Sequence, residues 1–257
     1  MTPISVVIIT LNEAANIGRC IQSVLPVADE VVVVDSFSTD QTCALAETLG
    51  AKIVQRTFDG HIEQKNYAIT QAKFPFILSL DADEWLSDEL TKAILKIKEN
   101  PMADGYRFNR LNNYCGTWIR HGAWYPDRKL RLWDSRMGKW EGMNPHDEFR
   151  MVKDAVIKNI SCDILHQSYR TVDEHRNKSE YFSTLASRAY HKHGKRATFL
   201  NVLLSPAFRF LRDYFFLRGF MDGKEGLRIA LLTAREVKLK YTKLLELQPH
   251  RPDEEHG

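Results

Sequence analysis

Phe74-Pro75-Phe76-Ile77-Leu78-Ser79-Leu80-Asp81-Ala82-Asp83-Glu84 is the stretch whose reading decides the fold. An apolar run of strand length ends in two carboxylates spaced i, i+2, which aims oxygen ligands at one point just past a sheet edge. Hard divalent cations such as Mg²⁺ or Mn²⁺ take that arrangement and leave positions open for substrate phosphates. In open α/β sheets the ligand crevice lies outside the carboxyl ends of the strands, where this loop falls. An Asp-x-Asp also occurs in ordinary surface turns, so the rest of the chain has to support the reading.

Working outward, the first hundred residues alternate strand and helix signals. Ile4–Ile9 and Glu30–Asp35 are β-branched runs of strand length. Residues 14–25 carry helical spacing at Ile17, Ile21, Val24 and Leu25. Thr39 and Asp40 are N-cap candidates for a helix reaching Leu49, with Gly50 as its stop. Residues 52–56 read as a third strand, 61–73 as a third helix, and Ser87-Asp88-Glu89 opens a helix to about Asn100. This alternation predicts an α/β, Rossmann-like, mostly parallel sheet with helices on both faces. From Gly105 to about Ile160, short aromatic strands at 106–111, 129–133 and 155–160 predict a mixed or antiparallel extension. Helices are expected at about 171–194, 198–218 and 221–245, followed by a polar tail. The domain reading is 1–169 for the catalytic domain, divided near 104/105 into a donor half and an acceptor half. A basic helical region over 170–247 and a flexible tail over 248–257 follow.

At 257 residues with 44% hydrophobic and 27% charged residues, the composition is that of a globular protein. No uncharged apolar run reaches spanning length, and Met1-Thr2-Pro3 leads into a strand without a basic leader. The four cysteines are scattered and read as reduced thiols, which gives a cytoplasmic expectation. The net charge of +3 conceals an asymmetry: residues 170–243 hold 16 Lys/Arg against 7 Asp/Glu. That region therefore suggests a face for an anionic partner.

Four loops should meet at the strand ends. Thr10-Leu11-Asn12-Glu13 follows the first strand and Asp35-Ser36-Phe37-Ser38-Thr39-Asp40 the second. Gln64-Lys65-Asn66 lies in the helix after the third, and Asp81-Ala82-Asp83-Glu84 follows the fourth. A carboxylate such as Asp35 accepts the hydrogen bonds that a ribose or base edge donates. Lys65 can neutralise a diphosphate. Capping for Asp40 and a solvated helix face for Lys65 are the plainer alternatives.

These stretches, with Val6–Glu13, Val32–Thr42 and Leu78–Glu84 taken together, resemble the inverting family 2 glycosyltransferases of GT-A fold. Trp124–Trp133 and Pro145-His146-Asp147-Glu148 are similar to the branch that includes bacterial lipopolysaccharide core β-glucosyltransferases. Gly219-Phe220-Met221-Asp222-Gly223-Lys224-Glu225-Gly226 matches a Gly-Phe-x-Asp-Gly-x-x-Gly stretch common near the end of such enzymes. The resemblance covers most of residues 4–245. It implies donor binding by Thr10, Leu11, Asn12, Glu13, Asp35, Ser38, Lys65, Asp81 and Ala82. It also implies Mg²⁺ or Mn²⁺ at Asp83, with Asp81 on the ribose or reaching the ion through water, and His166 as a third ligand. The branch more often has an apolar residue in place of Pro145 and a single His-Glu pair. The inserted Asp147 leaves the general base between Asp147 and Glu148, with Glu148 preferred because it closes a His-x-Glu version of the motif. An exposed turn after Met143-Asn144-Pro145 is the plain alternative.

The implied reaction moves a hexose, glucose favoured, from a nucleoside diphosphate sugar (UDP-hexose favoured) to a lipopolysaccharide core or other surface glycan. His166 could equally be a hydrogen-bonded core residue, and His191-x-His193 reads as a solvated face. Of Trp118, Trp124, Tyr125, Trp133 and Trp140 on the presumed acceptor side, most are expected to fill cores. Aromatics and arginines crowd residues 199–218, which suggests contact with the inner face of the cytoplasmic membrane; packing on the catalytic domain or a second subunit is the alternative. Nucleic acid is disfavoured because no recognition module accompanies the charge. A sugar nucleotidyltransferase is disfavoured because Thr10–Glu13 lacks a Gly-rich phosphate loop. A non-catalytic nucleotide-sugar-binding or scaffold protein is the remaining alternative.

Overall fold

A computed structural model of the chain describes residues 1–143 and 146–248. In chain order the elements are β1 (Ile4–Thr10), α1 (Ile17–Val24), β2 (Glu30–Asp35), α2 (Thr42–Thr48), β3 (Lys52–Gln55), α3 (His61–Thr70), β4 (Phe76–Asp81), β5 (Glu84–Leu86) and α4 (Asp88–Glu99). They continue with β6 (Gly105–Tyr114), β7 (Thr117–Ile119), β8 (Asp127–Asp134), β9 (Gly138–Met143), β10 (His146–Met151), β11 (Ile157–Tyr169), α5 (Val172–Lys192), α6 (Phe199–Leu211) and α7 (Gly223–Glu246). The described residues form two compact units, the first within 1–111 and 127–167, the second within 112–126 and 168–248.

In the first unit the strand order is β3-β2-β1-β4-β8-β6-β11-β5. The β1–β2, β1–β4 and β2–β3 pairs are parallel, as crossover helices require. β8 then runs antiparallel to β4, β6 to β8, and β5 to β11. Only Ala82 and Asp83 separate β4, in the middle of this order, from β5, at its edge. The sheet therefore curls back on itself around the Asp81–Glu84 turn. Alternation along the strands divides the core between the two sheet faces. Ile4, Val6 and Ile8 pack with Ile17, Ile21 and Val24 of α1 and Leu90 and Ile94 of α4. On the other face, Val7, Val32, Val34 and Ile77 pack with Ala68 of α3 and with Trp133, Trp140 and Phe149. That face is thus covered partly by the β9–β10 hairpin rather than by helices alone.

In the second unit, α7 packs against both α5 and α6. Ser179, Ser183 and Ser187 form a buried small-residue row along α5. Lys243 of α7 donates to the Glu180 carbonyl and to the Ser183 and Thr184 hydroxyls. Tyr114, Trp124, Tyr169 and His175 form an edge-and-stack aromatic cluster. Burial there pushes the His175 imidazole down to about 4. The Gly219–Gly226 stretch is a backbone interlock. Asp222 accepts from the Arg120 and His121 amides and pairs with His121 Nδ1, and Gly226 lies directly on the Gly219 carbonyl.

Several boundaries differ from the expected ones. The first helix begins at Ile17, because residues 14–16 form a turn. Helix α2 begins at Thr42 with Gln41 at its cap position, and Asp40, one residue earlier, accepts from the Thr42 amide, whereas Thr39 lies outside the helix start. Gly50, in a left-handed conformation, does end it. Strand β11 runs far beyond Ile160, which puts His166 inside a strand rather than after one. Residues 112–126, expected with the catalytic half, group with the C-terminal helices. The expected tail beyond Gln248, together with Asn144 and Pro145 of the proposed base motif, lies outside the described residues.

A β-carbon at Gly226 would collide with the Gly219 carbonyl oxygen, whereas one at Gly18 in α1 meets nothing within 4 Å. Gly226→Ala should therefore lower unfolding stability by about 1–3 kcal/mol through overpacking. Gly18→Ala should raise it by roughly 0.5–1 kcal/mol. Urea unfolding of the two variants checks this, and equal effects would show that the interlock is not constrained.

Candidate active site

The curl of the sheet gathers charged side chains, with Glu84, Arg131 and Lys65 buried and Asp81, Arg110 and Asp127 partly exposed, and they neutralise one another in a chain. Arg131, on β8 and buried, donates to Asp81 Oδ2 at 3.0 Å and to Glu84 Oε1 at 2.7 Å. Arg110, on β6, reaches Glu84 at 3.4 Å and Asp127 at 2.7 Å. The Asp81 amide donates to Glu84 Oε2, so the fully buried Glu84 also pins the turn. Lys65 of α3 lies 3.2 Å from Asp81 Oδ1 and 2.8 Å from Asp147 Oδ2, with its ammonium 4.6 Å from the centre of the Trp140 ring. Burial alone would raise the Asp81 carboxyl, but the Lys65 and Arg131 charges hold it well below the usual carboxylate range. Burial likewise disfavours the Arg131 charge, and Glu84 and Asp81 overcome it, leaving the guanidinium more firmly protonated than usual.

The β9–β10 hairpin brings Asp147 to this cluster. Asn66 of α3 donates to the Trp140 carbonyl and accepts from its amide, which fixes β9. On β10, Phe149 stacks on Trp133 at 4.0 Å. Side chains two apart on a strand share a face, so the seating of Phe149 turns Asp147 inward and Glu148 outward. The Asp147 side chain is 11% exposed. Glu148 is 66% exposed and faces Arg150 at 3.6 Å. The structure thus gathers Asp147, Lys65 and Asp81 and leaves Glu148 outside that group, against the preference drawn from the motif.

Asp83 sits on the turn itself. The β5–β11 register pairs Glu84 with His166, and His166 Nε2 stands 3.3 Å from Asp83 Oδ2. The Gln167 amide donates to the Asp83 carbonyl at 3.0 Å and steadies the approach. Asp83 and His166 offer one carboxylate and one imidazole to a divalent ion, a donor set that suits Mn²⁺ or Mg²⁺ when substrate oxygens complete the shell. Among the described residues no group of three or more His, Cys, Asp or Glu gathers around one point. Asp81 is engaged by two cations, Lys65 and Arg131.

The loops after β1 and β2 lock each other. Asn12, at φ 55°, donates its amide to Ser38 Oγ at 2.8 Å and accepts from the Thr39 amide at 2.8 Å. The Ser38 amide and hydroxyl both donate to the buried Asp35 carboxylate. The Glu13 amide donates to Thr42 Oγ1, and Asp40 accepts from the Ala14 and Thr42 amides. Asp40 is therefore a brace between loops. Thr10 is buried, and its hydroxyl has no hydrogen-bond partner among the described residues. Leu11 is exposed and Ala82 buried. Of the aromatics expected near an acceptor, Trp133 and Trp140 fill the core, and Trp124 belongs to the aromatic cluster of the second unit.

Arg131, Arg110 and Asp127 are residues of this cluster to which the sequence reading gives no role, and Glu84 enters that reading only as the last residue of the acidic turn. The available signal is Arg131 in Leu130-Arg131-Leu132-Trp133, two residues before a buried Trp and hence on its face.

The profile of glycosyl transferase family 2 matches residues 5–161, and the chain belongs to that family. An uncharacterized glycosyltransferase of Rickettsia bellii is 32% identical, covering 95% of this chain and 86% of its own. The lipopolysaccharide core biosynthesis glycosyltransferase LpsC of Rhizobium meliloti is 29% identical, covering 98% of this chain and 97% of its own. Among solved structures, S. aureus TarS 1–349 aligns with a TM-score of 0.49 at 17% identity, over 95% of this chain and 90% of that one. The fold is of the α/β class that the sequence implied, and the protein is a glycosyltransferase.

Removing one partner of a buried ion pair strands the other, at a cost of about 3–5 kcal/mol. Arg131→Met should destabilise the protein by that amount near neutral pH. Because the folded-state pKa of Asp81 is depressed, its share of the stability is fully present above the unfolded carboxylate value of about 4, begins to fall as pH drops below that value, and is lost only as pH falls through the depressed folded one. The gap between wild type and Arg131→Met should accordingly narrow in acid. Urea unfolding at about pH 7 and about pH 3.5, on either side of that value, checks both. A gap independent of pH would show that Asp81 is not part of the network.

Proposed function

We propose that the chain transfers a hexose, glucose favoured, with inversion from a nucleoside diphosphate sugar, UDP-hexose favoured, to a lipopolysaccharide core or related glycolipid acceptor. The observation that carries this reading is the meeting of Asp147, Lys65 and Asp81 at the carboxyl end of β4, beside the Asp83–His166 pair. The similarity to LpsC supports the acceptor class. The loops holding Thr10, Leu11, Asn12, Glu13, Asp35, Ser38 and Ala82 form the donor side, where Asp35 accepts from hydroxyl or base donors.

Asp83 and His166 would hold Mg²⁺ or Mn²⁺, which when bound neutralises charge on the departing diphosphate. Lys65 adds a second positive charge to the same side. Asp147 takes the proton of the acceptor hydroxyl as its oxygen attacks C1 of the sugar, and the nucleoside diphosphate leaves from the opposite face. Glu148, facing Arg150 on the outer side of β10, has no part in that step. Peripheral residence at the inner face of the cytoplasmic membrane belongs to the same reading.

Transfer of labelled sugar from UDP-, GDP- and dTDP-hexoses into a lipopolysaccharide extract tests the assignment. Asp147→Asn should lower turnover by about 10²–10⁴-fold, the usual worth of a general base, with nucleotide binding retained. Glu148→Gln should stay within about threefold of wild type, since an exposed carboxylate outside the group contributes no proton transfer. The opposite ranking would return the base to Glu148, and transfer from no donor by the wild type would count against the reaction itself.

A further inference from the structure

The α6 helix is turned inside out. Every exposed position along it is apolar: Phe199, Leu200, Leu203, Leu204, Ala207, Phe208 and Leu211. The spacing of Leu200, Leu204, Phe208, Leu211 and Phe215 is that of one helical face. Its arginines are engaged elsewhere: Arg209, and Arg212 just after the helix, both ion-pair with the buried Asp213. The π-helical turn Arg212–Phe216 and the short turn after it extend the same character, with Phe215, Phe216 and Phe220 exposed by 52%, 79% and 49%. An aromatic side chain presents roughly 150–250 Å², so these residues together expose on the order of 1,000 Å² of apolar surface. The largest apolar patch on an ordinary monomer is roughly 300–600 Å².

We propose that this face of α6, with the turn that follows it, seats the protein on an anionic phospholipid bilayer. Charge complementarity selects that occupant. Residues 195–224 hold six Lys/Arg against two Asp, and Lys195 and Arg196 just before α6, with Arg218 and Lys224 after it, are exposed. Anionic headgroups attract these residues, whereas a second copy would bring two sets of like charge together. The 13 residues of α6 give a helix of roughly 20 Å, short of the roughly 30 Å hydrocarbon layer. No described helix is long and apolar enough to cross a membrane. The helix therefore lies in the plane of the interface, with leucines and phenylalanines at the acyl boundary and the basic residues at headgroup level. The proposal deepens the peripheral residence in the functional reading, but it stands on the second unit's own surface. Its test contains neither donor nor acceptor, so it can fail or succeed apart from sugar transfer.

Flotation of the full chain with vesicles of phosphatidylcholine alone, or with about 30% phosphatidylglycerol, tests the proposal. The expected result is flotation with the anionic vesicles at low salt, weakened in about 0.5 M salt and on the neutral vesicles. The double variant Leu204→Ser/Phe208→Ser should reduce the partition coefficient at least roughly tenfold with an unchanged thermal melt. Should that variant fail to fold, Lys195→Glu/Arg196→Glu just before α6 should produce a clear loss of anionic binding in its place. Absence of flotation at low salt, or undiminished flotation of a folded variant, would overturn the proposal. So would a dimer in sedimentation that the double variant returns to monomer while neither protein binds vesicles.

Discussion

Arg131 is the side chain on which the site depends. It lies inside the curl of the sheet and holds two carboxylates, Asp81 at the end of β4 and Glu84 at the start of β5. Burying a carboxylate without a partner is costly, so this cation contributes much of what holds the turn between these strands in place. Arg110 and Lys65 continue the neutralisation on either side, toward Asp127 and Asp147 respectively. The arrangement fixes the direction of Asp81 and, through the two-residue link, the position of Asp83 beside His166. A pair of aspartates that look equivalent in the sequence thereby acquires unequal surroundings: one sits among cations, the other faces an imidazole.

The parallel half of the sheet was legible because its signals are local. Apolar runs such as Val31–Val34 are bounded by turn residues, and their strand ends follow directly from that pattern. The acidic turn after β4 was legible for the same reason. The antiparallel half was harder, since β8, β6 and β11 pair across long separations, and the partners of Asp81 lie on α3 and β8. Ion pairing of that kind leaves no local trace beyond a charged residue in an apolar strand. Asp40 does more than its sequence position suggests, since its carboxylate accepts from the Thr42 amide at the start of α2 and also reaches the Ala14 amide of a neighbouring loop.

Asp147 and Glu148 lie on opposite faces of β10, because side chains alternate along a strand. The motif alone favoured Glu148. Phe149 is the large apolar residue of that segment, and a strand that buries it must turn Asp147 to the same side. The information was in the sequence, but it required knowing that the segment is a strand whose inner face meets Trp133. The C-terminal third divides similarly. Its excess of basic charge was countable, yet only the structure shows that Arg209 and Arg212 are engaged internally while the leucines and phenylalanines of α6 face outward.

The central claim is the division of labour at the turn, with Asp83 and His166 toward a divalent ion and Asp81 toward Lys65 and Arg131. Titration of Mn²⁺ in the presence of UDP, followed by electron paramagnetic resonance, measures it most directly. Asp83→Asn and His166→Ala should each weaken Mn²⁺ binding at least roughly tenfold while the thermal melt stays within a few degrees of wild type. Unchanged Mn²⁺ affinity in both variants would contradict the account.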